Sequence, residues 1–342
     1  MNERIRAILL ALLAAVFYAV NMPLSKLLLN NVGPTMMAAL LYLGAGAGVG
    51  LLSLVNRKDS VKSEKLTRSD LPYVIGMIVL DIAAPILLML GLLHGTSANA
   101  ALLGNFEIVA TTLIALVVFR EAVTARLWAA IALITLASGL LSFESVESFR
   151  FSTGSLLVLL ATLCWGLENN CTRRISDKSA YEIVVLKGLF SGLGSLVIAL
   201  FIGEKLPGIA HIMSAMLLGF VAYGLSIFMY VRAQHTLGAA KTSAYYAVNP
   251  FIGALLSLIL LHEPLSGTYL VALAVMAAGS ALVVADTLAR RHAHMHVHTF
   301  THTHGGVTHT HTVTHTHAHN HYLTDDAHGH RHPISALEHV HR

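Results

Sequence analysis

Three carboxylates lie where charge is disfavoured. Asp81, Glu107 and Glu168 each sit inside a long apolar run, and an ionised side chain at the centre of a bilayer costs roughly 2.5–3.5 kcal/mol on insertion scales. A group in that position faces a cavity or a partner, where it can hold the polar end of a solute or exchange a proton. Two amides, Asn21 and Asn249, belong with these acids by internal similarity. Tyr18, Trp165, Tyr245 and Tyr246 are close in sequence to the polar positions, and their ring faces suit a cationic or planar solute. A second set of chemically capable residues lies near the C-terminus: His292, His294, His296, His298, His302, His304, His309, His311, His315, His317, His319, His321, His328, His330 and His332. Neutral imidazole is a good ligand for zinc, nickel, cobalt and copper. No cofactor is required by this reading, but the tail is suited to bind those metals.

Each feature has a plainer reading. The acids can be structural, bonded to hydroxyls or a lysine on neighbouring helices. Lys187, near the start of an apolar run, and Lys26, near the end of another, can snorkel to the membrane surface. Glu121 and Glu263 stand at membrane boundaries, where a carboxylate is expected to bond the free N–H groups of the helix that follows. Cys164 and Cys171 share one apolar run and suggest packing rather than a disulfide or a metal site.

The elements that must position these residues follow from composition. Apolar residues make up 55% of the 342, charged ones 12%, and the mean hydropathy is +0.68, which excludes an ordinary soluble globule. Ten apolar segments, near 5–29, 34–55, 71–93, 97–119, 124–143, 154–175, 181–202, 211–231, 239–261 and 266–286, are each long enough to approach or span about 30 Å of hydrocarbon. Residues 287–342 contain no such run and hold 17 of the 21 histidines. A spacing of two forms no helical face, and Thr and Gly build no core, so the tail reads as a flexible, disordered segment. With the N-terminus inside, inner segments hold 16 Lys and Arg and outer segments 2. That asymmetry places both termini in the cytoplasm of an inner-membrane, multi-pass protein and removes any need for a nucleic-acid partner to explain the net charge of +4.

Internal similarity comes next. Residues 14–21 (AAVFYAVN) line up with 161–168 (ATLCWGLE), and Phe119-Arg120-Glu121 with Leu261-His262-Glu263, at offsets of 147 and 142. Under this alignment Glu107 falls opposite Asn249 and Glu168 opposite Asn21. Two copies of an odd number of helices must lie in the membrane with opposite topology.

The run Leu237-Gly238-Ala239-Ala240-Lys241-Thr242-Ser243-Ala244-Tyr245, then Asn249-Pro250, then Leu261-His262-Glu263-Pro264-Leu265-Ser266, resembles the second repeat of the drug/metabolite transporter superfamily in its EamA branch. Gly95-Thr96-Ser97-Ala98-Asn99 and Phe119-Arg120-Glu121-Ala122-Val123-Thr124 are a fainter version in the first half. The resemblance implies an all-α membrane fold of ten helices in two inverted five-helix repeats, residues 1–148 and 149–288, followed by the His-rich tail, 289–342. It also implies a central cavity and a secondary-active carrier of a small organic metabolite or drug, in the export direction. The expected partners are the lipid bilayer, the small-molecule substrate, protons as coupling ion and transition-metal ions at the tail. The histidines keep open a divalent-metal (Zn, Ni, Co) transporter or a membrane metal or pH sensor. No HExxH or GxSxG motif argues for an enzyme.

Overall fold

The computed structural model describes residues 3–55, 66–119, 123–145, 150–175, 180–237, 242, 245–264, 266–304 and 307–322. They divide into two compact units, 1–284 and 285–342.

The first unit is a helical bundle. Its helices are α1 (Glu3–Ala19), α2 (Asn21–Leu28), α3 (Pro34–Val55), α4 (Leu71–His94), α5 (Ser97–Leu103), α6 (Phe106–Phe119), α7 (Ala125–Ser142), α8 (Thr153–Arg174), α9 (Ala180–Leu186), α10 (Gly192–Phe201), α11 (Ile209–Gly219), α12 (Ser226–Leu237), α13 (Asn249–Leu261) and α14 (Gly267–Leu288), the last running on past the first unit. Among the described residues, eight stretches are long and apolar enough to cross a membrane: Ile5–Leu28, Pro34–Ser53, Arg68–His94, Ser97–Val118, Ala125–Ser142, Tyr181–Phe201, Ile209–Tyr230 and Gly267–Asp286. The segments expected at 154–175 and 239–261 are not among them. In α8 the run Glu168-Asn169-Asn170 interrupts the apolar pattern, and Asn249–Leu261 has only 13 residues because the helix restarts there. A short pairing of β1 (Phe143–Ser145) with β2 (Arg150–Phe151), not anticipated from the sequence, joins α7 to α8.

Polarity is distributed for lipid. Val117, Phe201 and Ile209 are among many large apolar side chains that point outward, whereas Asn21, Asp81 and Glu168 are buried. The long helix pairs α4–α8, α1–α12, α6–α8 and α3 with both α10 and α11 form the body. Small residues let backbones meet: a Cβ on Gly44 would overlap the Met216 carbonyl, one on Gly219 the Leu41 carbonyl, and one on Gly188 the backbone of Gly46. Helix ends are tied by charge from distant parts of the chain. Glu204 accepts from the backbone N–H of Thr35 (3.1 Å) and Met36 (2.7 Å) at the start of α3. Glu263 accepts from Ser97 (2.7 Å) and Ala98 (2.8 Å) at the start of α5. The expectation that Glu263 caps free N–H groups thus holds, but on α5 rather than on the helix that follows it. Lys26 does not snorkel to the surface; it donates to the Leu92 and Gly95 carbonyls at the C-terminal end of α4, the latter at 2.8 Å. Glu121 lies outside the described residues.

The second unit corrects an expectation. The tail was expected to be disordered, yet β3 (Ala289–His304) and β4 (Val307–Tyr322) pair antiparallel from Ala289↔Tyr322 to His304↔Val307 without a break. The physical reason is in the spacing: an alternation of two is the period of a pleated strand, and the intervening Thr and Val are β-branched. His328, His330 and His332 lie outside the described residues.

Close helix contact gives the first prediction. Gly219→Ala should lower the stability of the detergent-solubilised protein by roughly 1–3 kcal/mol through overpacking, whereas Gly139→Ala, with no atom within 4 Å of the new Cβ, should not. Thermal unfolding of both variants measures the difference.

Candidate translocation site

The polar residues are held by helices that are not regular. α1 stops at Ala19 and α2 restarts at Asn21; α5 stops at Leu103 and α6 restarts at Phe106, which puts Glu107 in a first turn. In the other half α13 begins at Asn249, directly after a turn at Ala247-Val248. Lys187 opens a π-helical segment, Lys187–Ser191, and Tyr223 lies within a second, Phe220–Leu225. Pro85 and Pro250 have no N–H for the carbonyls four residues earlier, those of Asp81 and Tyr246. Broken and π-helical backbone inside a membrane survives only where it is buried in protein or lines a polar space.

Asp81 on α4 is 1% exposed and Glu168 on α8 is 2% exposed, and one cation joins them. Lys187 Nζ lies 2.8 Å from Glu168 Oε1 and 3.2 Å from Asp81 Oδ2. The first contact is a hydrogen bond. The second is an ion pair. Asp81 Oδ1 accepts from the Tyr42 hydroxyl at 3.0 Å. The Thr172 hydroxyl donates to Glu168 Oε1. Lys187, expected to snorkel to the surface, instead serves as the internal counter-ion of two acids.

Glu107 is held differently. Its Oε1 accepts from Asn169 Nδ2 at 2.6 Å, and the same amide lies 3.3 Å from the Thr111 hydroxyl. No lysine or arginine reaches Glu107 within ion-pair distance among the described residues, while Glu168 and Lys187 are within electrostatic range. Asn21, fully buried, donates to the Tyr223 hydroxyl at 3.1 Å and accepts from Ser25 at 3.0 Å. Around these groups runs a chain of rings: Tyr42 to Tyr223 at 5.5 Å between centroids, Tyr223 to Tyr18 at 5.5 Å, Tyr18 to Tyr246 at 6.0 Å and Tyr246 to Tyr230 at 5.2 Å.

Of the residues singled out from sequence, Asp81 and Glu168 share one cluster, Glu107 joins it through α8, and Asn21, Tyr18 and Trp165 line the same region. Tyr245 does not enter the ring chain, which runs through its neighbour Tyr246. Asn249 opens α13 and has no hydrogen bond to the acids among the described residues. The sequence reading missed Lys187, Tyr42, Asn169, Tyr223 and Tyr230. No group of three or more His, Cys, Asp or Glu side chains suited to a metal ion occurs among the described side chains, which do not include those of the tail.

The EamA-like transporter family matches residues 5–143 and again residues 152–285. An uncharacterized transporter of Methanothermobacter thermautotrophicus is 26% identical over 273 residues, spanning 74% of this chain and 78% of its own. The uncharacterized transporter YyaM of Bacillus subtilis is 21% identical over 255 residues, 71% and 82% of the two chains. One solved crystal structure superposes with a TM-score of 0.60 over 82% of this chain and 97% of that one at 16% identity, a likeness of fold alone.

Removing one member of a buried ion pair leaves an uncompensated charge and destabilises by roughly 3–5 kcal/mol. Lys187→Met should therefore lower the unfolding temperature sharply, and adding Asp81→Asn and Glu168→Gln should restore most of the loss. A triple variant as unstable as Lys187→Met would show that the lysine acts by packing rather than by charge.

Proposed function

This chain belongs to the EamA-like transporter family, a multi-pass membrane protein by its apolar helices, and from that premise we propose that it is a secondary-active carrier exporting a small organic solute across the inner membrane by alternating access. The observation that carries the reading is the polar cluster of Asp81, Glu107, Glu168 and Lys187, held inside an otherwise apolar bundle, with Glu107 in the first turn after a helix break and Lys187 at the start of a π-helical segment. Carriers bind at such discontinuities because freed backbone groups and half-helix ends supply polarity without exposing it to lipid.

Support for a duplicated architecture comes from the two family matches, which begin at residues 5 and 152, an offset of 147. This is the separation of Asn21 from Glu168. On this reading α8 and the helix ending with α13 complete ten spans in two inverted five-helix halves, and the Lys and Arg distribution sets both termini in the cytoplasm. Glu107 has an amide partner and no ion-pair partner among the described residues, which suits a carboxylate that meets a solute or a coupling proton in turn.

Transport into and out of proteoliposomes, with a panel of amines, amino acids and divalent metals under imposed proton gradients, tests the reading. Glu107→Gln should slow transport of the responsive solute by about tenfold or more, as expected for loss of a charge-assisted contact worth roughly 1.5–3 kcal/mol, and should alter its dependence on the proton gradient. Wild-type rates from Glu107→Gln between pH 6 and 8 would remove Glu107 from the pathway. Reporter fusions near Lys205 should be periplasmic and those after Arg291 cytoplasmic; the reverse pattern would overturn the orientation.

A further inference from the structure

Two of the helix-end contacts share a construction that capping alone does not require. Among the described residues the backbone turns left-handed at two places, Gly203 (φ 79°) and His262 (φ 52°). Each immediately precedes one of the carboxylates that bond a distant helix start, Glu204 and Glu263. A left-handed residue after a helix turns the chain out of line with it, here past the ends of α10 and α13; at the first, the Glu204 N–H closes the turn on the Ala199 carbonyl at 2.9 Å. Glycine takes this conformation freely, whereas histidine takes it at a cost. Both carboxylates are half-buried, while the residues beside them, Gly203, Lys205, His262 and Pro264, are exposed. The same device thus occurs twice. Both copies belong to residues 149–288 and both bond helices of residues 1–148. They also share one end of the bundle: residues 29–33 lead from α2 into the start of α3, and Lys26, in the last turn of α2, bonds the end of α4 and lies within electrostatic range of Glu263.

We propose that Glu204 and Glu263 are paired latches that hold this end of the bundle closed, and that opening it requires both carboxylates to leave the helix starts they bond. The inference rests on the carrier reading and deepens it, since alternating access must part the two halves at each end in turn. The contacts suit release. The first N–H groups of a helix have no partner within it, and at a membrane boundary water can replace a carboxylate oxygen there while hydrating the freed carboxylate. The deep cluster is the contrary case, because parting Lys187 from Asp81 or Glu168 leaves a buried charge unpaired. Charge-assisted hydrogen bonds hold the closed state. The left-handed His262 opposes them, because backbone in that region persists only where its surroundings hold it. On the proposed orientation this end is the periplasmic one.

The experiment reads the distance across each seam directly. In the full-length protein with Cys164→Ala and Cys171→Ala, spin labels are placed on cysteines at exposed positions, the pair Asn31→Cys and Leu206→Cys for one latch and the pair His94→Cys and Gly267→Cys for the other. Pulsed electron paramagnetic resonance in lipid then gives the populations of short and long distances. Glu204→Gln with Glu263→Gln should raise the long-distance population at both pairs by about tenfold or more, as expected for loss of charge-assisted bonds. Each single variant should give a smaller shift, and these decide the matter if the double variant does not fold. His262→Gly, which removes the cost of the left-handed turn, should move the population the other way. Unchanged distances in the glutamine variants, with or without a lower unfolding temperature, would overturn the proposal and make the carboxylates fixed caps. Transport by wild type in the proteoliposome panel keeps the two readings apart. Solute flux with unchanged distances sinks the latches alone, whereas opening of both seams in a chain that moves none of the solutes upholds the latches and counts against the carrier reading.

Discussion

A single ammonium group lying 2.8 Å from one buried carboxylate and 3.2 Å from another sets the terms for the rest of the bundle. Asp81 and Glu168, both almost fully buried, share one partly buried lysine, and Glu107 stands on a helix packed beside them. Desolvation of such a group is only partly offset by pairing, so neighbouring helices contribute hydroxyls and an amide: Tyr42 to Asp81, Thr172 to Glu168, Asn169 to Glu107. The helices that pack most closely here, α4 with α8 and α6 with α8, are the ones that bring the acids together. A substitution in this cluster acts on assembly and on solute handling at once, which is why charge-balanced multiple variants are the informative ones.

The irregular backbone is the second half of the same arrangement. A regular helix uses every internal carbonyl, so it offers none to a ligand or a distant side chain. Breaks before Asn21, Phe106 and Asn249, the prolines four residues after Asp81 and Tyr246, and the π segments at Lys187 and Phe220 all release backbone polarity at the depth of the acids. The tyrosine chain covers this polarity with rings whose edges and hydroxyls tolerate both apolar and charged neighbours.

The three acids were legible in the sequence because their cost in lipid has no other explanation than a partner or a cavity, and the structure brings them into one connected region. Lys187 was not legible, since it stands only six residues into its helix, where a flexible ammonium can as readily reach the surface. Tyr42, Tyr223 and Tyr230 were hidden for a different reason: tyrosines in apolar helices serve as packing and interfacial residues everywhere, and only the crossing of α1, α3 and α12 reveals which of them meet. Asn169 was obscured by its neighbour Glu168, which drew the same helix into the reading one residue too early. The eight apolar stretches followed from hydropathy alone, whereas α8 departs from it because it carries Glu168, Asn169 and Asn170. In the tail, rejecting a helical period was sound; the same spacing is a strand period, and strand pairing has no signal beyond that alternation.

The carboxylates on the helix ends have an order in time as well as in space. Glu204 and Glu263 cap the starts of α3 and α5 from 165 to 169 residues further along the chain. At synthesis rates of about 5–20 residues per second, a separation of that size amounts to roughly 8–33 seconds. Until then those amides lack the carboxylates that accept from them in the folded chain. The first half is therefore completed only once Glu204 and Glu263 of the second half have been made.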